Sequence, residues 1–318
     1  MDDGRHRLPI TGRYSPLRYP GGKGKIAKFV ASIVRENQLS DGLYVEPYAG
    51  GAAIAWELLL TGVVRRVAIN DISKPVYSFW KLVIDEVDWL CKKIQKVELS
   101  VAEWDRQKEI YKNPRSSLKK LGFAFFYLNR TNRSGILNAG IIGGRSQESQ
   151  WKIDARFNRD DLILRIRRIA AYKNKITLTC LDAADFIEQE KPKWQKKTLI
   201  YLDPPYYEKG RLLYHDCYKS SDHEKIAKKV MALEAINWIV SYDDVLPIHS
   251  LYEDAGWLQY SLSYSAYKKV RGREAMFFSD ALKIPNTLSQ MQEIDRGAGA
   301  CNGGTQPKNR VSLPNELS

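Results

Sequence analysis

The sequence predicts an α/β protein, a mainly parallel sheet covered by helices and interrupted by a long helical insert. Three observations predict it. Thr198-Leu-Ile-Tyr-Leu202 is a short continuous apolar run, the pattern of a strand buried on both faces of a parallel sheet. Leu43-Tyr-Val-Glu46 reads as another strand and passes through a small-residue loop into a helix. Between strands read at 65–69 and 175–180 the chain is helical in pattern and strongly basic.

The elements follow in order. Residues 1–15 are polar, without periodicity, and read as a flexible arm. Leu17-Arg-Tyr-Pro-Gly-Gly-Lys23 is a turn in which backbone can approach a ligand. Ile26, Phe29, Val30, Ile33 and Val34 then recur at helical spacing. A glycine turn opening a helix suits an anion, and Lys23 adds a charge that fits a ligand carboxylate. Pro47-Tyr-Ala-Gly-Gly-Ala-Ala53 lacks Gly-x-Gly-x-x-Gly and the Lys-Ser/Thr of a phosphate loop, so a nucleoside fits it better than a pyrophosphate. The strand at 65–69 ends in Asn70-Asp71. Asp71 either accepts ribose hydroxyls or caps the helix that starts near Ser73.

Residues 75–128 read as helices anchored by Trp80, Trp89 and Trp104. Asn129-Arg-Thr-Asn-Arg-Ser-Gly135 follows, an amide-rich basic segment suited to phosphates and base edges through Asn129, Arg130, Asn132 and Arg133. From Lys112 to Lys175 there are 15 Lys/Arg and 4 Asp/Glu, an excess of +11 within a net charge of +13. That concentration reads as a nucleic-acid footprint. After the strand at 175–180, Asp182 or Asp185 is placed to meet a ligand amine and Phe186 to line a ring, with helix capping the competing reading. Helices at 221–233 and 246–255 and a strand at 238–240 precede antiparallel strands at 258–264 and 275–279. Lys268-Lys-Val-Arg-Gly-Arg273 between them reads as a basic turn, with Lys269 and Arg271 facing a phosphate backbone. From 284 the chain is rich in Gly, Asn, Pro and Ser and reads as a disordered tail.

Asp203-Pro-Pro-Tyr206 ends the run at 198–202. Two prolines donate no N–H and cannot extend a ladder, so the chain leaves the sheet at its carboxyl edge. Asp203 and the Pro204 carbonyl there can each accept one N–H of a planar amine, and Tyr206 can stack on its ring. The four cysteines and four histidines show no metal-ligand spacing, so no metal is expected. No apolar run reaches the roughly 18 residues of a membrane span, and the charged N-terminus is unlike a signal peptide. A cytoplasmic protein with reduced thiols is the resulting expectation.

Tyr19-Pro-Gly-Gly-Lys23, Val45-Glu-Pro-Tyr-Ala-Gly-Gly51, Asn70-Asp71, Asn129-Arg130 and Asp203-Pro-Pro-Tyr206 occur in an order that resembles Dam-type DNA N6-adenine methyltransferases, the D12 class. The resemblance implies a Rossmann-like S-adenosylmethionine-dependent methyltransferase sheet with a mainly helical target-recognition insert. It divides the chain into a catalytic domain at 16–74 and 174–283, an insert at 75–173, and the two termini. It implies S-adenosyl-L-methionine as donor and double-stranded DNA as partner, with the chain a monomer in a restriction–modification setting. Tyr19, Lys23, Glu46, Tyr48, Gly50, Asp71, Asp182, Phe186 and Asp203 become the expected cofactor contacts. Asp203, Pro204 and Tyr206 become the expected catalytic residues. The loop departs mildly from the family, with Tyr48 where Phe is frequent and Gly-Gly in place of Gly-x-Gly. The alternatives are an N4-cytosine or RNA amine methyltransferase, and a non-catalytic DNA-binding protein that keeps the fold.

Overall fold

The computed structural model describes residues 14–18, 23, 26–208, 218–266, 268–285 and 292–296. Five strands run parallel: β1 (Leu43–Glu46), β2 (Arg66–Asn70), β3 (Ile176–Thr179), β4 (Thr198–Leu202) and β5 (Asn237–Asp243). The hairpin of β6 (Gly256–Ala266) and β7 (Lys268–Phe278) adds antiparallel strands beside β5. These seven, with β8 (Gln292–Arg296) on β6, form one sheet in the order β3-β2-β1-β4-β5-β7-β6-β8.

The apolar runs are strands because both of their faces are covered. Tyr44, Val67, Ile69, Leu199, Tyr201 and Ile239 enter one core. Their chain neighbours Val45, Ala68, Ile200, Leu202, Trp238 and Val240 enter the other. The first core lies under α1 (Ala27–Glu36), α2 (Ala53–Leu60) and the helices of the insert. The second lies under α8 (Ala183–Glu190) and the helices Ser220–Met231 and Leu246–Leu251.

The insert comprises α3 (Lys74–Asp85), α4 (Val87–Lys96), α5 (Val101–Lys112), α6 (Leu118–Thr131) and α7 (Arg159–Ala170). It is continuous with the first core: Trp80 of α3 meets Trp56 of α2 at 4.9 Å, and Phe79 stacks on Phe126 of α6 at 5.3 Å and 4°. Side chains of this size are each worth about 1.5–3 kcal/mol when buried, so α3 and α6 are fastened to the sheet layer. Among the described residues no helix is long and apolar enough to cross a membrane.

Two expectations change here. Lys268–Arg273 is not a turn: β7 starts at Lys268, which pairs with Ala266, and the ladder runs unbroken to Phe278. The stretch from 284 is not wholly structureless, because Gln292–Arg296 pairs with Leu258–Ser261. The arm also docks earlier than expected, Ser15 Oγ donating to Gly51 O at 2.6 Å. Residues 1–13 of the expected arm lie outside the described residues.

Candidate active site

The sheet order reverses between β1 and β4, so the loops after these strands diverge and open a crevice at the carboxyl edge. β4 delivers Asp203-Pro-Pro-Tyr206 to that crevice. Asp203 Oδ1 accepts from Ser241 Oγ at 3.2 Å and pairs with Lys23 Nζ at 3.1 Å. Oδ2 and the Pro204 carbonyl accept no hydrogen bond from the described residues. Burial pushes the Asp203 carboxyl above the usual range; Lys23 opposes the shift and Glu274 adds to it.

Lys23 donates to Tyr206 Oη at 2.8 Å and Glu274 Oε2 at 2.9 Å as well, with Ser241 Oγ at 3.4 Å. Its ammonium is thus spent on Asp203, Tyr206 and Glu274, and its side chain is 13% exposed. The role it shows is to hold Asp203 and Tyr206. Tyr206 donates to Glu274 Oε1 at 2.6 Å, which fixes the ring. Glu274 of β7 is fully buried and also accepts from Tyr260 at 2.5 Å. Asp243, at the end of β5, pins the next turn by accepting from Tyr207 N and Glu208 N at 2.8 and 2.9 Å. The sequence reading missed both acids. Glu274 stands next to an apolar strand run, and that break was the available signal.

Across the crevice, Asp71 Oδ2 accepts from Gly50 N at 2.8 Å and Oδ1 from Ser73 N at 2.9 Å. It therefore ties the small-residue loop to the start of α3, and burial raises its pKa to about 6. Gly50 has φ +46°, a left-handed conformation suited to glycine, and its carbonyl accepts from Trp80 Nε1. Asn70 is buried and staples two loops, donating to Pro47 O and Leu181 O. Ile72, next to Asp71, is 64% exposed, an apolar floor beside a polar group that the sequence reading overlooked. Tyr48 Oη pairs with Tyr218 Oη at 2.7 Å and its ring joins the second core.

Glu46 turns inward. Its Oε1 accepts from Tyr44 Oη at 3.0 Å and Ala55 N at 3.1 Å, so it supplies the acceptor that the first turn of α2 otherwise lacks. Burial raises its pKa to about 8. A raised pKa favours the fold below the unfolded value near 4.5, and that contribution is lost as pH rises through 8. Glu46→Gln keeps an acceptor at Oε1 and does not titrate. Its stability relative to wild type should rise by on the order of 4 kcal/mol between about pH 5 and 9. Denaturant titrations at both pH values check this, and a constant difference would remove the buried carboxyl from the argument.

The family model for D12 class N6 adenine-specific DNA methyltransferases matches residues 19–266. The chain belongs to this family. A Type II methyltransferase, M.MjaIII of Methanocaldococcus jannaschii, is 25% identical over 213 residues, 60% of this chain and 68% of its own. Two solved structures are similar at low scores. The rRNA methyltransferase aviRa of Streptomyces viridochromogenes has 12% identity and TM-score 0.32, over 78% of this chain and 82% of that one. Protein LPL1258 of Legionella pneumophila has 11% identity and TM-score 0.30, over 80% and 81%.

Several residues expected to serve this methyltransferase as ligand contacts are structural. Phe186 is fully buried in the second core against Trp194, so its ring does not line the crevice. Asp182 caps α8, its Oδ1 accepting from Ala184 N at 3.1 Å, while its side chain stays 33% exposed, so the cap leaves a ligand contact open there. Asn129 is buried, with its amide spent on Arg18 N, Arg18 O and Gly135 O. Asn132 is buried too, accepting from Trp104 Nε1 and donating to Ile136 O and Leu137 O. Neither amide has an edge left for a base. Arg130 is enclosed, donating to Pro16 O and Arg156 O; burial first, then Arg18 and Arg165, lower its pKa to about 9. Arg133 is exposed. Tyr19 and the side chains of Lys269 and Arg271 lie outside the described residues.

Proposed function

We propose that the chain is an S-adenosylmethionine-dependent, site-specific methyltransferase acting on the exocyclic amine of adenine flipped out of double-stranded DNA. The observation that carries the reading is a pair of acceptors that no described residue engages, Asp203 Oδ2 and the Pro204 carbonyl, at the switch point of a sheet in this family. The name of the M. jannaschii relative adds a restriction–modification setting.

The residues across the crevice fit the cofactor. Both Asp71 oxygens already accept one backbone N–H, and each has a second lone pair to offer a ribose hydroxyl. Ile72 offers an apolar face to an adenine ring, and the Gly50 turn lets backbone approach closely. S-adenosylmethionine, when bound, supplies an electrophilic methyl group. Asp203 and the Pro204 carbonyl take the two N–H bonds of the target amine, draw the nitrogen out of conjugation and aim its lone pair. Lys23 and Ser241 hold Oδ1 still, and Tyr206 gives the base a face. Catalysis is then alignment and electrostatics. Flipping is needed because a stacked, paired amine is out of reach, and it costs a few kcal/mol. The helices at 75–173 serve as the target-recognition insert.

The purified protein, given labelled cofactor and duplex DNA of mixed sequence, should yield N6-methyladenine at one recurrent site on sequencing. Label recovered in cytosine or only in RNA supports the amine-methyltransferase alternatives. DNA binding without transfer, under conditions where cofactor binds, would overturn the catalytic reading.

A further inference from the structure

We propose that Arg18 and Arg156, backed by Arg130 and Arg165, form a clamp for one backbone phosphate of the nucleic-acid strand entering the Asp203 crevice. The inference rests on DNA as the substrate and adds where its backbone is held. The four residues come from separate stretches. Arg18 precedes the Lys23 turn, Arg130 ends α6, Arg156 ends the short helix Ile153–Arg156, and Arg165 lies on α7. They are close enough that Arg18, Arg165 and Arg156 each disfavour the charge on Arg130. Among the described residues the carboxylate that favours the charge on Arg130 is Asp161, and it is already engaged by Arg165 at 2.9 Å.

Among the described residues these guanidiniums also donate to backbone carbonyls: Arg18 to Asn132 O at 2.9 Å, Arg130 to Pro16 O at 3.4 Å and to Arg156 O, Arg165 to Ser15 O at 3.3 Å. Carbonyls satisfy N–H groups without cancelling charge. Arg130 Nε is buried and meets no acceptor among the described residues. Arg156 is exposed, and its guanidinium lies 5.9 Å over the ring of Trp151, which is itself 61% exposed. Gathering like charges and desolvating one of them is costly unless an anion completes the cluster. A phosphodiester carries one charge and acceptor oxygens that match guanidinium forks.

The location suits the substrate strand. Arg18 is five residues before Lys23, whose Nζ touches Asp203. Five residues span at most about 18 Å, and one strand of duplex DNA carries a phosphate every ~3.4 Å along the axis. The clamped phosphate thus belongs within a few nucleotides of the target.

Arg156→Gln tests the clamp, because the fold uses the backbone carbonyl of Arg156 and not its exposed side chain. Binding of fluorescent duplex DNA is measured across about 50–200 mM salt without cofactor, beside Arg35→Gln, an exposed residue of α1 that matches the charge change. For Arg156→Gln, affinity should fall about tenfold at low salt and the slope of log K against log salt should shrink by about 0.9. Arg35→Gln should match wild type in slope. Equal slopes for the two variants would overturn the clamp while leaving DNA as substrate. Failure of the wild type to bind duplex DNA would instead overturn the functional reading on which the clamp rests.

Discussion

Asp203→Asn should lower the methyl-transfer rate by about 10²–10³, or roughly 2.7–4 kcal/mol, the cost of losing one preorganised hydrogen bond to a reacting group. The substitution changes almost no volume. Asparagine can keep an oxygen toward Lys23 and Ser241, which places its NH2 where Oδ2 was. A donor then faces an amine that has only donors in the plane of its ring. Lys23 keeps Glu274 and Tyr206 as partners, so the melting temperature should change little. DNA affinity should hold as well, because the loss lies in alignment. The pH profile gives a second readout. Burial, opposed by Lys23 and assisted by Glu274, holds the wild-type carboxyl above its ordinary value. Wild-type rate should therefore climb as that group ionises, and the variant should lack this limb. Retention of more than about a tenth of wild-type single-turnover rate would remove Asp203 as the amine acceptor.

The framework around that carboxylate was legible in the sequence because it is local. The apolar runs at 43–45 and 198–202 can satisfy both faces only inside a sheet, and both lie in strands there. The helix-start reading of Asp71 was legible too: one oxygen receives Ser73 N at the start of α3, and the other receives Gly50 N from the loop. Burial of polar groups was not legible. Asn129 and Asn132 sit in a segment rich in cations and amides, which suggests base contacts. Their actual partners are backbone groups of residues 18 and 135–137 and the indole of Trp104, and an amide so engaged is a structural rivet. Lys268–Arg273 misled for a different reason. Its charges mask a strand whose identity comes from pairing with 261–266 rather than from its own apolar pattern. The role of Glu274 was not legible from its place beside an apolar run, because it depends on Lys23, 251 residues away.

That distant pair supports the second large expectation. Lys23→Met should destabilise the fold by about 3–5 kcal/mol, since removing one partner of a buried ion pair leaves uncompensated charge. Here two carboxylates, Asp203 and Glu274, lose the ammonium lying 3.1 and 2.9 Å from them. The Tyr206 and Tyr260 hydroxyls still donate to Glu274, but they carry no positive charge. Loss of Lys23 removes the influence that lowers the Asp203 pKa, so that pKa should rise further. A carboxyl with a raised pKa favours the fold at low pH, and the contribution is lost as pH rises through the folded value. The deficit of the variant should therefore widen from acid toward neutral pH. Adding Glu274→Gln should recover part of the loss, because it removes one of the two stranded charges, keeps an oxygen for one tyrosine and offers its NH2 to the hydroxyl oxygen of the other. A double-variant cycle read by denaturant unfolding should give a coupling of about 1–3 kcal/mol with this sign. If the double variant is no more stable than Lys23→Met alone, the lysine does not act by joining the two acids, and its hold on Asp203 is independent of β7.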